Sequence, residues 1–468
     1  MNNQTTFSTP YKLFLKGIRS MRKITESPPT IKLVSTRLKR SGGLDVCLSR
    51  ALLSTALIGC AFLVLGLLAW TAQSKPKQPW EVVKISRSVA KESGAWCLDG
   101  STPQYYISHG PDRRKWIIFH EGGDWCDRIQ RVTGKAERPT WSCSERARTF
   151  LGSSELDAQS KNQGNMTEYG REFEYLSRDA ARNPMMHDWT HVLIRYCDGG
   201  SFSGNSSAGG GASGDGGGEA LFLRGKPIQQ AVADDLLRHR DLASATDVVL
   251  AGASAGALGV LLQADDWGAQ IEARARSAGG EPPRMAALLD AGIFPEWQDS
   301  SSPACRYRER MERVYSLHRP VSSALGRCVG ALGNGSAPWS CLFGANLLPF
   351  VEMPVFAVSS VHDAWMLSHV ICNASAEVIA DFGASLAEAI AGAVRLHGQA
   401  GAFVEPCHHH TKCWADVTVE GQTPAEAFSE WYRSAGQGRM LWAAADEPFG
   451  SAACNDLRRE PSCPVTVF

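Results

Sequence analysis

The stretch that decides the fold is Asp247-Val-Val-Leu-Ala-Gly-Ala-Ser-Ala-Gly-Ala-Leu-Gly259. Four apolar residues lead into Gly252-Ala-Ser254-Ala-Gly256, and small or apolar residues follow. A sharp turn from a strand into a helix can hold a serine in a strained conformation with its Oγ exposed, and it needs small residues two positions to either side. The backbone N–H of Ala255 would then point toward a developing oxyanion. The alternative is a glycine-rich turn without chemistry, so the other catalytic groups must be sought along the chain.

Other apolar segments alternate with helical patterns, which indicates a sheet with helices on both faces. Besides the strand of the elbow, strands are predicted at residues 115–120, 189–196, 284–290 and 355–361, and helices at residues 227–238, 255–263, 374–396 and 423–434. A serine elbow in this setting predicts an α/β-hydrolase-like doubly wound sheet in a single catalytic domain, residues 81–468. Residues 300–350 are expected to form an irregular, disulfide-linked insertion.

The charge balance excludes one class of partner. The chain has 468 residues, with 48 basic and 48 acidic side chains. Nucleic-acid binding needs a clustered basic surface, so we expect no nucleic-acid partner. Residues 209–218 contain seven glycines and predict a mobile loop near the mouth of the site. They lack the Lys-Ser/Thr ending of a phosphate-binding loop, so no nucleotide site is expected.

Residues 51–72 are uncharged and long enough to cross a bilayer as a helix. The segment before them carries ten Lys or Arg residues and two acidic ones, which predicts a cytosolic N-terminus and a single-pass type II orientation. We therefore expect a basic, disordered tail at residues 1–50, a signal anchor at residues 51–72 and a linker at residues 73–80. The catalytic domain would lie in the Golgi lumen or outside the cell. A cleaved signal peptide is the alternative.

The cysteines agree with an oxidising compartment. Twelve of the 14 lie beyond the apolar segment, an even and dispersed set that predicts disulfides: Cys97, Cys126, Cys143, Cys197, Cys305, Cys328, Cys341, Cys372, Cys407, Cys413, Cys454 and Cys463. Their pairing does not follow from the sequence. Sequons for N-glycosylation begin at Asn165, Asn205, Asn334 and Asn373.

An acid and a base are expected downstream of the serine. The strand at residues 355–361 ends in His362-Asp363, where a carboxylate would accept the Nδ1–H of a catalytic histidine. Asp290 also ends a strand and is a rival for that role. The loop that carries Cys407-His-His-His410 is expected to supply the general base. Zinc at the three histidines is the alternative, but adjacent residues point in different directions and structural zinc sites use spaced pairs.

The first predicted strand continues into Glu121-Gly122-Gly123-Asp-Trp-Cys126. α/β-Hydrolases place their second oxyanion donor on a loop after an early strand, and paired glycines let backbone N–H groups approach a substrate oxygen. An ordinary glycine turn is the alternative. His120 precedes the serine, which is the wrong order for a general base in this fold, and we interpret it as structural.

Together these motifs resemble the pectin acetylesterase family, which includes the Notum-type carboxylesterases. The matching segments cover roughly residues 80–465 in the family's order: His120-Glu-Gly-Gly-Asp-Trp-Cys126, Arg195-Tyr-Cys-Asp-Gly-Gly-Ser-Phe-Ser-Gly204, Leu223-Arg-Gly225, Gly252-Ala-Ser-Ala-Gly256, Leu289-Asp-Ala-Gly292, His362-Asp-Ala-Trp365 and Cys407-His-His-His410. The resemblance implies metal-free, cofactor-independent serine hydrolysis of an O-acyl ester on a polysaccharide, glycan or protein. Inactive glycan binding and peptide hydrolysis are alternatives.

The resemblance also implies site residues. It places the catalytic triad on Ser254, Asp363 and His410, because the family acid stands in an Asp-Ser-Trp-like motif and the family histidine follows a cysteine by three residues. The oxyanion donors would be Gly122, Gly123 and Ala255. The sequence departs from plant members in one place, since Thr411 stands where they usually have a cysteine and His408 and His409 are unusual.

Overall fold

A computed structural model describes residues 80–130, 141–156, 174–208, 220–297, 306–333, 337–372, 374–411 and 413–444. The predicted cytosolic tail, the predicted membrane segment, the glycine-rich segment at residues 209–218 and the sequons at Asn165, Asn334 and Asn373 lie outside these residues. Among the described helices, none is by itself long and apolar enough to cross a membrane. One pair bent by 109°, Ala364–Ile371 with Ala376–His397, meets the length and composition requirement only when taken together.

The strands are β1 (Glu81–Lys84), β2 (Gln104–Ser108), β3 (Lys115–His120), β4 (Thr190–Ile194), β5 (Ser206–Ala208), β6 (Leu221–Leu223), β7 (Asp247–Ala253), β8 (Arg284–Asp290), β9 (Val355–Ser360), β10 (Gly401–Glu405) and β11 (Leu441–Ala443). Nine of them form one sheet in the order β1-β2-β4-β3-β7-β8-β9-β10-β11, and β5 pairs with β6 separately. The sheet is parallel from β4 through β11, whereas β1 and β2 join it antiparallel. The predicted doubly wound α/β sheet is confirmed.

The helices of seven or more residues are α1 (Arg87–Ser93), α2 (Gly225–His239), α3 (Ala255–Ser277), α4 (Tyr307–His318), α5 (Ser323–Ala331), α6 (Ala376–His397) and α7 (Pro424–Arg433). The four predicted helices are present, but α3 continues 14 residues beyond the predicted end at Gln263. Its second half buries Trp267, Ile271 and Ala275, which recur at helical spacing.

Alternate residues of β7 face the two sides of the sheet. Val248 and Leu250 pack into the apolar core that contains α2, α3 and α6. Val249 and Ala251 pack into a second core, which is built on the opposite face with α7. Because helices and loops cover both faces, the central strands are apolar almost throughout, as expected for a parallel sheet.

The expectation of an irregular insertion at residues 300–350 is wrong for most of its described part. Helix α4 buries Arg310, Met311 and Val314, and helix α5 follows directly after it. The helical spacing was hidden because the face of α4 that packs against the domain carries a buried arginine, which a count of apolar residues does not register. Short helical turns at Pro338–Leu342, Gly344–Leu347 and Leu348–Phe350 complete the segment.

Disulfides are present, as the cysteine usage predicts. Three pairs are defined: Cys97–Cys197, Cys126–Cys143 and Cys328–Cys341. Cys372, Cys407 and Cys413 are also disulfide-bonded. The Cys126–Cys143 bond closes the loop that follows β3, and the Cys97–Cys197 bond ties the chain before β2 to the end of β4. The loops at the carboxyl edge of the sheet are therefore covalently restrained.

Candidate active site

Ser254 stands at the turn between β7 and α3 in a strained conformation. Its φ is 55° and its ψ is −127°, values that a residue with a side chain rarely adopts. The flanking glycines are required by space. A Cβ on Gly256 would lie 2.2 Å from the carbonyl oxygen of His120, and a Cβ on Gly252 would lie 2.6 Å from the carbonyl carbon of Gly256. The sequence motif thus produces the geometry of a nucleophile elbow.

The structure brings Ser254, His410 and Asp363 into one chain of hydrogen bonds. His410 Nε2 lies 2.8 Å from Ser254 Oγ, and His410 Nδ1 lies 2.7 Å from Asp363 Oδ2. The arrangement selects one tautomer: Nδ1–H donates to the carboxylate, and Nε2 accepts the serine hydroxyl. Ser254 is 9% exposed, whereas His410 and Asp363 are almost completely buried. The geometry is suited to proton removal from the serine.

Asp363 is held independently of the histidine. It follows β9, and its Oδ1 accepts the backbone N–H of Met366 at 2.9 Å, which caps the short helix Ala364–Met366. One carboxylate oxygen is therefore occupied by the backbone and the other by His410. This division of the two oxygens fixes the carboxylate plane and, through it, the imidazole.

The three consecutive histidines have different environments. His410 faces Ser254, whereas the His409 Nε2 lies 2.7 Å from Glu405 Oε1 in a buried ion pair. Burial opposes the protonation of His409, but the carboxylate of Glu405, assisted by Asp290 and Asp363, raises the pKa of His409 to about 9. His408 is exposed, and partial desolvation lowers its pKa. The three rings therefore do not converge on one point, as a shared zinc ligand set would require.

Asp290, the rival acid, contacts the nucleophile through its backbone. Its carbonyl oxygen accepts the Ser254 N–H at 2.8 Å, and its residue pairs with Ala253 across β7 and β8. The Asp290 carboxylate is buried near Tyr175, where burial and this carboxylate raise the pKa of the phenol well above its ordinary value. The Nδ1 of His410 is directed to Asp363.

The predicted oxyanion donors lie next to the serine. A Cβ on Gly122 would be 2.3 Å from the Ala253 carbonyl oxygen and 3.1 Å from the Ser254 Cβ, so the backbone of this loop runs directly against the elbow. Gly123 has a φ of 149°, and a Cβ there would meet Leu151 at 2.7 Å. Ala255 is the first residue of α3 and has no side-chain cap over its helix terminus. Their role as donors stays a prediction.

A buried ion pair that sequence reasoning missed holds this loop. Asp124 has a positive φ of 61° and its Oδ1 accepts from Arg310 of α4 at 2.8 Å, while its Oδ2 accepts the indole N–H of Trp141 at 2.8 Å. Burial opposes ionisation of Asp124, but Arg310 and Trp141 outweigh it and hold the pKa of Asp124 below its ordinary value. Partners this far apart in sequence leave no local signal.

Aromatic side chains surround the acid and the base. The Trp365 ring makes edge contacts with Trp125 at 5.7 Å, Phe294 at 5.4 Å and Tyr307 at 6.2 Å between ring centroids. Its own face is turned toward the imidazole of His410, at 6.0 Å and an interplanar angle of 29°. Such rings exclude water from the hydrogen bonds behind the serine.

His120 agrees with its structural interpretation. It is fully buried, its Nδ1 lies 3.2 Å from the carbonyl oxygen of Ala251, and burial lowers its pKa to about 4. Among the described residues, one group has metal-ligand spacing, namely Cys126, Cys143 and His318. Its two sulfurs form a disulfide, so they are not the thiolates that a metal would need.

Comparisons with known proteins place the chain among ester hydrolases. A family model described as Pectinacetylesterase matches residues 75–441. The chain is 30% identical to Pectin acetylesterase 5 of Arabidopsis thaliana, over 81% of this chain and 89% of that protein. It is 26% identical to Pectin acetylesterase 7 of the same plant, over 82% and 92% of the two chains. It is 25% identical to Palmitoleoyl-protein carboxylesterase NOTUM of Homo sapiens, over 72% of this chain and 64% of that protein.

Proposed function

The chain belongs to the pectin acetylesterase family, and from that membership we propose that it is a serine carboxylesterase that removes O-acetyl groups from a polysaccharide or glycan. The observation that carries the proposal is the position of His410, which touches both Ser254 and Asp363. An esterase needs a base that reaches the nucleophile and an acid that orients the base.

The proposed reaction has two steps. Nε2 of His410 takes the Ser254 proton as Oγ attacks the ester carbonyl carbon, and the same proton then passes to the leaving sugar alkoxide. Water, activated by His410, next attacks the acyl-enzyme, which releases the acid and restores the serine. Asp363 accepts the Nδ1–H throughout and balances the positive charge that His410 acquires.

The carbonyl oxygen becomes negative in both steps. We propose that the backbone N–H of Ala255 and an N–H of Gly122 or Gly123 bind it. The support is the close approach of Gly122 to the Ser254 Cβ and the uncapped start of α3 at Ala255. A helix N-terminus carries unsatisfied N–H groups and a partial positive charge, both suited to an oxyanion.

A second substrate class is favoured by one observation. The comparisons include palmitoleoyl-protein carboxylesterases at 25% identity, so a longer acyl ester on a protein is the alternative substrate. The acetyl ester takes precedence because the match to Pectin acetylesterase 5 is more identical and covers more of both chains. Inactive binding of a glycan is the third reading, and the serine–histidine contact speaks against it.

We also propose that the enzyme acts in a secretory compartment, anchored through residues 51–72 in a type II orientation. The disulfides support an oxidising location. Asn205 and Ser207, which define one sequon, are both exposed and would be accessible to glycosylation. Shift of the full chain on glycosidase treatment, lost in Asn205→Gln if this is the modified site, would test the orientation.

The deciding experiment compares p-nitrophenyl acetate, butyrate and octanoate with the full chain made in a secretory host, alongside Ser254→Ala. A preference for acetate that disappears in the variant supports a deacetylase, and release of acetate from acetylated polysaccharide would then identify the substrate class. A preference for octanoate moves the assignment to the longer acyl ester. Equal turnover by the wild type and Ser254→Ala would refute the serine mechanism.

A further inference from the structure

The indole of Trp365 lies between two imidazoles. On one side it faces His410 at 6.0 Å with an interplanar angle of 29°, and on the other it stacks on His369 at 4.7 Å with an angle of 13°. Trp365 is 2% exposed and stands two residues after Asp363. The acid and the indole therefore come from one short turn, and both contact the same histidine.

The indole is fixed on all sides. Three aromatic rings meet its edges, as described above, and the Nδ1–H of His369 donates to the Trp365 carbonyl oxygen at 2.8 Å. His369 lies in a π-helical turn, Leu367–Ile371, a local widening that is often found at functional sites. Because neighbours restrain the ring, its face keeps a constant orientation toward His410.

The face of an indole attracts a cation. Its negative quadrupole favours a positive charge within about 6 Å of the ring centroid, and the attraction is stronger where water is excluded. His410 becomes an imidazolium in the transition state of each proposed step, and its ring is 2% exposed. Neutral imidazole gains much less from the same face, so the contact discriminates between the two charge states.

We propose that Trp365 is a positioning residue for the proposed hydrolysis, whose π-face stabilises the imidazolium form of His410 and keeps the ring aligned between Asp363 and Ser254. This inference rests on the proposed function. It adds to the triad a residue that touches neither the substrate nor the reacting atoms and acts through the base.

Other charges act on the same histidine and must stay constant in any test. The charged and titratable groups around His410 and the indole are His408, His409, Glu405, Asp290, Asp363, His362 and His369. None of them is altered by substituting Trp365. A change in proton affinity on substitution would therefore report the indole itself.

The test uses the full chain with Trp365→Leu and Trp365→Phe, and with Phe343→Leu as a matched control. Phe343 belongs to the same aromatic cluster, with its ring 6.0 Å from Tyr307 and no recorded ring contact with His410. Two readouts are followed against pH: kcat/KM for a p-nitrophenyl ester, and the rate at which an organophosphate labels Ser254. Both require the neutral form of His410.

In Trp365→Leu we expect the midpoint of the acid limb to move down by about one pH unit and the plateau rate to fall about tenfold, because the imidazolium has lost its stabilising face. Trp365→Phe should lie between Leu and the wild type, since benzene has a weaker quadrupole than indole. Phe343→Leu should leave the midpoint in place.

A plateau that falls in both Trp365 variants without a shift of the midpoint would overturn the inference and leave Trp365 as a packing residue. An equal shift in Phe343→Leu would overturn it too, because general loosening would then be the cause. If Trp365→Leu does not fold, Trp365→Phe decides by the presence or absence of its smaller shift. A wild-type chain without esterase activity or labelling would instead refute the proposed function.

Discussion

The backbone N–H of Ser254 donates to the carbonyl oxygen of Asp290 at 2.8 Å, so the nucleophile is pinned to the end of the neighbouring strand. A strained residue keeps its conformation only where its surroundings enforce it. Here the enforcing contact runs from β8 to the first residue after β7, across adjacent parallel strands. Asp290 therefore serves the site through an atom that every residue possesses, and its carboxylate has a separate environment beside Tyr175.

This separation predicts different outcomes for the two acids. Asp363→Asn should lower kcat by about 10⁴-fold, because an amide no longer selects the tautomer with the proton on Nδ1 of His410. Asp290→Asn keeps the backbone carbonyl that holds Ser254 and should lose far less activity. Steady-state kinetics on a p-nitrophenyl ester, with circular dichroism to confirm folding, compares them. Similar losses in the two variants would return Asp290 to candidacy as the triad acid.

The elbow should not tolerate one extra methyl group. In Gly256→Ala the new Cβ would meet the carbonyl oxygens of His120 and Glu121, at 2.2 and 2.5 Å, neither of which can move without shifting β3. We expect a loss of at least 2 kcal/mol in unfolding free energy, of the order of 1–3 kcal/mol seen for overpacked cores, and loss of activity.

Gly326→Ala is the control for that substitution. Gly326 lies inside α5 with no atom near its Cβ position, so alanine should stabilise the helix by about 0.5–1 kcal/mol. Denaturant melts of both variants provide the measurement. If Gly256→Ala melts like the wild type, the tight contact with β3 does not exist in solution.

The Arg310–Asp124 pair should matter for stability and for catalysis together. Arg310→Met leaves a buried carboxylate without its cation, a change that typically costs about 3–5 kcal/mol. Because Asp124 follows Gly123 directly, the oxyanion loop should loosen as well, and kcat should fall more than KM rises.

Arg308→Met is the matched control on the same helix. Arg308 is exposed and pairs with Glu296 at 3.0 Å on the surface, so its loss should cost less than about 1 kcal/mol. Thermal melts and Michaelis kinetics on both variants separate the two cases. Equal, small effects would show that Arg310 does not hold the loop.

The buried His409–Glu405 pair predicts a loss of stability in alkali. The pKa of His409 is raised to about 9 in the folded chain, above the ordinary histidine value of about 6.5. The pair therefore contributes fully below about pH 6.5 and is lost as the pH rises through about 9. We expect the melting temperature to fall by a few degrees across this window. In His409→Gln that decrement should be missing, whereas His408→Gln, at an exposed position, should retain it.

Local patterns in the sequence predicted the elbow, most of the sheet and the order of the catalytic groups. Gly252, Ser254 and Gly256 lie within five residues, and the constraint that makes glycine necessary there is steric and local. Asp363 was predictable because it ends an apolar strand. The pattern of α4 was missed because its buried face includes Arg310, a residue that apolar periodicity treats as exposed.

The sequence by itself determined that a parallel α/β sheet carries a serine at a strained turn, because backbone periodicity and glycine placement depend on neighbouring residues alone. Only the tertiary structure decided which histidine meets Ser254, because His408, His409 and His410 are chemically identical and differ only in direction. It also decided that Asp363 holds His410 while Asp290 holds the Ser254 backbone, since both acids end strands. These choices depend on contacts between residues about 40 to 160 positions apart, which no local pattern encodes.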